Sequence, residues 1–147
     1  MGSPAKNERI AIVGARAHPN AERALRPLID SLPRGTTVIS GGAAGIDMTA
    51  REIALVNELS VIEYVIVDAG MPTAGIVAKH WQGLERSPRT KNIGVRPDAT
   101  ARDLLIFRNT WIAISCDRAY AFLEGTRGGT ADAVEQFARF FRPCEKR

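Results

Sequence analysis

Four short apolar runs alternate along the chain with stretches of helical period. Residues 8–14 (ERIAIVG), 36–41 (TTVISG), 61–67 (VIEYVIV) and 118–123 (RAYAFL) are rich in β-branched and aromatic residues, with glycines close by, which predicts buried strands. Between them Ala21, Ala24, Leu25, Leu28, Ile29 and Leu32 recur with a 3.6-residue period. Asn20 stands as their N-cap, and Pro27 predicts a kink or a split. A second helix is expected over 46–59, with Ile46, Ala50, Ile53 and Ala54 inward. A third spans 100 to about 116 and opens on Thr100-x-x-Asp103, a capping box with Asp in the usual Glu or Gln position. The last covers 130–141, with Ala133, Val134, Phe137, Ala138 and Phe141 on one side and Pro143 ending it.

Strand–helix alternation predicts an α/β fold, an open parallel sheet with helices on both faces. Right-handed crossovers favour the strand order 3-2-1-4, with room for an extra edge strand from 89–96. Residues 69–99 show no clear period, and so long an irregular stretch often carries function. The length, 147 residues, suits one domain. The expected division is a disordered lead-in over 1–7, the domain over 8–142 and a basic tail over 143–147.

Composition narrows the classes. Hydrophobic residues at 45% and charged residues at 24% exclude wholesale disorder. No apolar run reaches the length of a membrane span, and the first residues lack a secretory signal, so a cytoplasmic protein with no membrane partner is expected. Two cysteines, Cys116 and Cys144, and two histidines, His18 and His80, make neither a disulfide framework nor a metal site. No metal and no cofactor is expected. The net charge of +4 is local. Between Lys79 and Arg108 lie seven cations (Lys79, Arg86, Arg89, Lys91, Arg96, Arg102 and Arg108) against three anions (Glu85, Asp98 and Asp103). That segment is either a solvated basic loop or a surface that attracts phosphates.

In such a sheet ligands bind beyond the carboxyl ends of the strands where the order reverses. Three small-residue segments should meet there: Gly14, Ala15 and Arg16; Gly41, Gly42, Ala43, Ala44 and Gly45; and 124–130, with Glu124, Gly125, Gly128, Gly129 and Thr130. The last two run into helix N-termini, whose free amides and dipole favour an anion. Tight turns alone are the competing explanation. Arg108 falls on an apolar stripe of Leu104, Leu105, Trp111, Ile112 and Ser115. It needs a partner there, either Asp47 or Glu124 in a salt bridge or a bound phosphate. Asn109 either reads a ribose or base edge or ties down a loop. Asp47 either complements its helix dipole or takes a sugar hydroxyl. Trp81 either stacks on a base or covers a core edge. No Walker-type loop, dinucleotide fingerprint or nucleophile elbow is present.

Ala11-Ile12-Val13-Gly14-Ala15-Arg16, Ile39-Ser40-Gly41-Gly42-Ala43-Ala44-Gly45-Ile46-Asp47, Phe107-Arg108-Asn109-x-x-Ile112-Ala113 and Gly128-Gly129-Thr130 resemble the DprA/Smf and LOG (SLOG) superfamily of Rossmann-like proteins. The resemblance is greatest to the DNA-processing protein A branch and to small single-domain relatives. It implies a pocket for a nucleotide or for single-stranded nucleic acid, with Arg16, the 41–45 loop, Asp47, Arg108, Asn109 and 128–130 at the matching positions. In the LOG branch it implies N-glycosidic hydrolysis of nucleoside 5′-monophosphates, for which Glu124 or Asp47 would be the catalytic carboxylate. Ala133 stands where that branch has its glutamate, Thr126-Arg127 where it has two glycines, and Arg51 where the DNA-processing branch has a histidine. The expected function is therefore nucleotide or nucleic-acid phosphate binding. The alternatives are a phosphoribohydrolase and a nucleotide-signal sensor. Open sheet edges predict a homodimer or higher homo-oligomer.

Overall fold

The computed structural model describes residues 7–85, 87–123 and 129–147. Its elements follow in the order β1 (Arg9–Gly14), α1 (Ala21–Ile29), β2 (Thr37–Ser40), α2 (Ile46–Val56), β3 (Ser60–Val67), β4 (Gly75–Trp81), β5 (Arg89–Val95), α3 (Ala101–Ser115), β6 (Arg118–Phe122), α4 (Gly129–Arg139) and β7 (Cys144–Lys146). All seven strands join one sheet in the order β5-β4-β3-β2-β1-β6-β7. The centre, β3-β2-β1-β6, is parallel and is the order expected from the four apolar runs. β4 is antiparallel to both β3 and β5, and β7 extends the parallel part beyond β6.

Alternation along the strands sends side chains to two cores. Ile10, Ile12, Val38 and Val61 pack with Leu25, Ile29, Ile46, Ala50 and Ile53 of α1 and α2. Ala11, Val13, Ile39, Ile62 and Tyr64 pack with Leu104 and Ile112 of α3 and with Ala133 and Phe137 of α4. Each fully buried Ile, Leu or Phe contributes about 1.5–3 kcal/mol of transfer free energy. Two sheet faces, each under its own helix pair, leave the strand ends free to carry a site.

Several local expectations change. The segment 69–99 is not irregular throughout. It folds back as β4 and then β5, the second being the expected edge strand. The 143–147 segment adds a strand, tied in where Arg147 N–H donates to the Ala121 carbonyl at 2.8 Å. Helix α1 runs through Pro27 and stops at Ile29, and Asn20 caps it without a side-chain hydrogen bond. α4 buries Ala133, Gln136 and Phe137, while Phe140 packs against the core. Phe141 is 90% exposed and lies beyond the helix end in a left-handed conformation, φ 57°. Ala138 is exposed too, because the inward row is i, i+3, i+4, i+7 from Ala133.

The capping box forms as expected. Asp103 N–H donates to Thr100 Oγ1 at 3.1 Å, and Thr100 N–H donates to the Asp103 carboxylate at 3.4 Å. Thr100→Ala is expected to lower stability by about 1 kcal/mol, read as a fall in the urea midpoint at unchanged slope.

Candidate functional site

Strand order reverses between β1 and β6, and beyond their carboxyl ends lies a cavity of about 480 Å3. That volume is within the range of small-ligand sites. Its wall is Val13, Gly14, Ala15, Arg16 and Ala17 from the end of β1, Ala43 and Asp47 at the start of α2, Leu105, Arg108 and Asn109 from α3, and Gly129, Thr130 and Ala133 from α4. The structure thus brings Gly14, Ala15, Arg16, Ala43, Asp47, Arg108, Asn109, Gly129 and Thr130 together from four separate stretches of chain. Gly41, Gly42 and Gly45 do not line the cavity; they shape its wall from behind. Glu124, Gly125 and Gly128 lie outside the described residues.

The glycine loop needs its glycines for two different reasons. Gly45 has φ 78°, and a Cβ there would lie 2.3 Å from the Arg16 carbonyl oxygen. Only glycine lets the start of α2 sit against the turn after β1. Gly41 is buried, and a Cβ on it would come within 2.9 Å of Arg108 Cζ and 3.1 Å of Asp47 Oδ2. The guanidinium therefore rests on the bare backbone of Gly41.

Arg108 is half-buried, and its fork is held from one side. Nε and Nη2 donate to Asn109 Oδ1 at 3.2 and 3.0 Å. No carboxylate among the described residues forms an ion pair with it, and its Nη1 has no hydrogen-bond partner among them. Burial lowers its pKa and the Asp47 carboxyl raises it, but a guanidinium stays cationic. Asn109 is fully buried. Its Nδ2 donates to the Gly129 carbonyl at 3.1 Å and to Asp132 Oδ2 at 2.9 Å. The amide thus joins Arg108 to the first turn of α4.

Asp47 is 4% exposed. Its Oδ2 accepts from Ala43 N–H at 3.3 Å, whereas its Oδ1 is buried with no hydrogen-bond partner among the described residues. Burial pushes its pKa up to about 7 against the opposing pull of Arg108. Arg16 is exposed at the rim. Gly129 and Thr130 open α4, so first-turn amides without partners inside the helix stand at the wall.

Sequence reasoning passed over what supports the glycine loop. Glu63, 1% exposed in the middle of β3, accepts from Arg51 Nη1 at 3.2 Å and from Trp81 Nε1 at 2.8 Å. Its Cδ is 3.5 Å from where a Cβ on Gly42 would be. The Arg51 guanidinium lies 4.5 Å above the Trp81 ring. Trp81 is partly buried and packs against the first core. The detectable signal was a carboxylate inside an apolar run, which must find a partner. Elsewhere, both cysteines are free, and burial pushes the Cys116 thiol up to about 12, unsuited to nucleophilic work. No metal-ligating cluster and no helix long and apolar enough to cross a membrane occurs among the described residues.

Residues 2–82 match the family described as DNA recombination-mediator protein A. No curated protein sequence matches the chain. Among solved structures, the fold is similar to DNA processing protein A from Helicobacter pylori, which has a unique single-stranded DNA binding mode. The TM-score is 0.64 at 18% identity, covering 96% of this chain and 65% of that one. It is also similar to DNA processing protein A (DprA) from Streptococcus pneumoniae, with TM-score 0.65 at 20% identity, covering 95% of this chain and 50% of that one. The chain therefore spans one-half to two-thirds of the length of these relatives.

Proposed function

Because the chain belongs to the DNA recombination-mediator protein A family, we propose that it binds single-stranded DNA through phosphates seated in the cavity at the carboxyl ends of β1 and β6. One observation carries the reading. The guanidinium of Arg108, whose Nη1 has no hydrogen-bond partner among the described residues, is fixed against Gly41 at the wall of a cavity that also meets the first turns of α2 and α4. Phosphate oxygens accept from such a donor and from helix-start amides. Arg16 adds a cation at the rim, and Thr130 adds a hydroxyl. The single-stranded DNA binding of the Helicobacter pylori protein is consistent with this assignment.

Arg108→Ala is expected to weaken binding of a labelled oligonucleotide about tenfold to a hundredfold, the effect of one charge-assisted hydrogen bond. Each phosphate contact contributes about 0.7 to the slope of log affinity against log salt for single strands, so the variant's slope should be shallower by that amount. Affinity that ignores salt, or wild-type affinity in the variant, rules the assignment out. Nucleoside monophosphates should stay intact on incubation, because Ala133 lines the cavity where a hydrolase of this superfamily resemblance would place its glutamate. Release of free base, followed by chromatography, is the contrary result.

A further inference from the structure

The amino ends of the strands, at the far side of the sheet from the cavity, carry a second set of donors. Arg9 of β1 is in register with Thr37 of β2, and Thr37 with Ser60 of β3. One row further along, Ile62 of β3 faces His80 of β4, and His80 faces Arg89 of β5; Lys91 faces Ala78. Ile62 and Ala78 belong to the core under α3 and α4. His80, Arg89 and Lys91 therefore lie on that same sheet face, and so does Arg9, two residues before the core residue Ala11.

Arg9, Arg89 and Lys91 are exposed, and none of their side chains pairs with a carboxylate among the described residues. The Asp117 carboxylate accepts the backbone N–H of Arg9 at 2.8 Å. His80 is half-buried, and its pKa is lowered by burial and then by Arg89, Lys91 and Arg9. Charged residues on an edge strand such as β5 also discourage edge-to-edge pairing. Arg9 lies on an interior strand, where that explanation does not apply.

We propose that this strip is a second nucleic-acid surface, which takes phosphates of a single strand independently of the cavity. It offers cations with the Thr37 and Ser60 hydroxyls between them, spaced by the separation of adjacent strands, about 4.8 Å. Ser60 Oγ also donates to Gln82 Oε1 at 3.4 Å, so the exposed cations are the main phosphate donors of the strip. The cavity lies about one strand length away, roughly 20 Å for the six residues of β1, so a long strand meets both and a short one fits either.

The test compares Arg89→Ala/Lys91→Ala, both at exposed edge positions, with Arg108→Ala. A long and a short oligo(dT) are titrated against each, with circular dichroism checking the fold. The double variant is expected to lose about tenfold affinity for the long oligonucleotide and to have a salt slope shallower by about 1.4, two phosphate contacts at about 0.7 each. In the Arg108→Ala background the long oligonucleotide should still shift the ring-proton resonances of His80, one of two histidines in the chain. If the double variant binds as wild type while Arg108→Ala does not, the strip is refuted and the cavity assignment stands. The reverse pattern refutes the cavity and supports the strip. Binding of poly-glutamate in place of the oligonucleotide at His80 also overturns the proposal.

Discussion

Replacing Glu63 with alanine is expected to cost about 3–5 kcal/mol of stability, the usual penalty for breaking a buried ion pair from one side. Glu63 is 1% exposed and serves two donors, Arg51 and the Trp81 indole. Alanine leaves a half-buried guanidinium without its main counter-charge and a half-buried indole N–H without its acceptor, and it opens space behind Gly42. Against a typical domain stability of about 5–15 kcal/mol, much of the folding free energy goes with it, a fall in melting temperature on the order of 10 °C. Glu63→Gln keeps an acceptor for Trp81 and should lose less. Arg51→Ala strands the carboxylate instead, so the Glu63→Ala/Arg51→Ala double variant should cost less than the two single losses combined. Urea melts of the four proteins measure this; strict additivity would show that the side chains do not act as a pair.

That network marks the boundary of what the sequence made legible. The centre of the sheet could be read because β-branched runs separated by helical periods leave few ways to build a parallel sheet, and Thr100-x-x-Asp103 announced the start of α3. The glycine segments and Arg108 pointed to one crevice because topology alone brings strand ends together there. What escaped reading depends on contacts between distant residues. β4 reads GIVAKHW, where Lys79 and His80 dilute the alternation, and it becomes a strand by pairing along the whole of β3. β7 is three residues long and exists because β6 offers an open edge. Arg51 and Trp81 lie 12 and 18 residues from Glu63, so no local pattern joins them. Asn109 was noticed beside Arg108, but only packing shows that its amide joins Arg108 to α4.

Asp47 should make both stability and ligand affinity depend on pH. Burial pushes its carboxyl up to about 7 in the folded chain, from an ordinary aspartate value of about 3.9. Between those values the unfolded chain has released a proton that the folded chain still holds, so stability falls as pH rises. The contribution is fully present below about pH 4 and is gone above about pH 7. A rise of that size is worth on the order of 4 kcal/mol. Asp47→Asn is neutral throughout and keeps an acceptor for Ala43 N–H. The two proteins should therefore be of similar stability in acid, and the variant more stable by about that amount near pH 8. The same equilibrium reaches the ligand. A phosphate beside Arg108 brings negative charge next to Asp47 and favours its protonated form, so oligonucleotide affinity should weaken as pH rises through about 7 and stay level in Asp47→Asn. Urea melts and titrations at about pH 5 and about pH 8 measure both effects. A stability difference between the two proteins that is the same at both pH values would show that Asp47 is ionised throughout, and the buried carboxyl would then repel the phosphate at every pH.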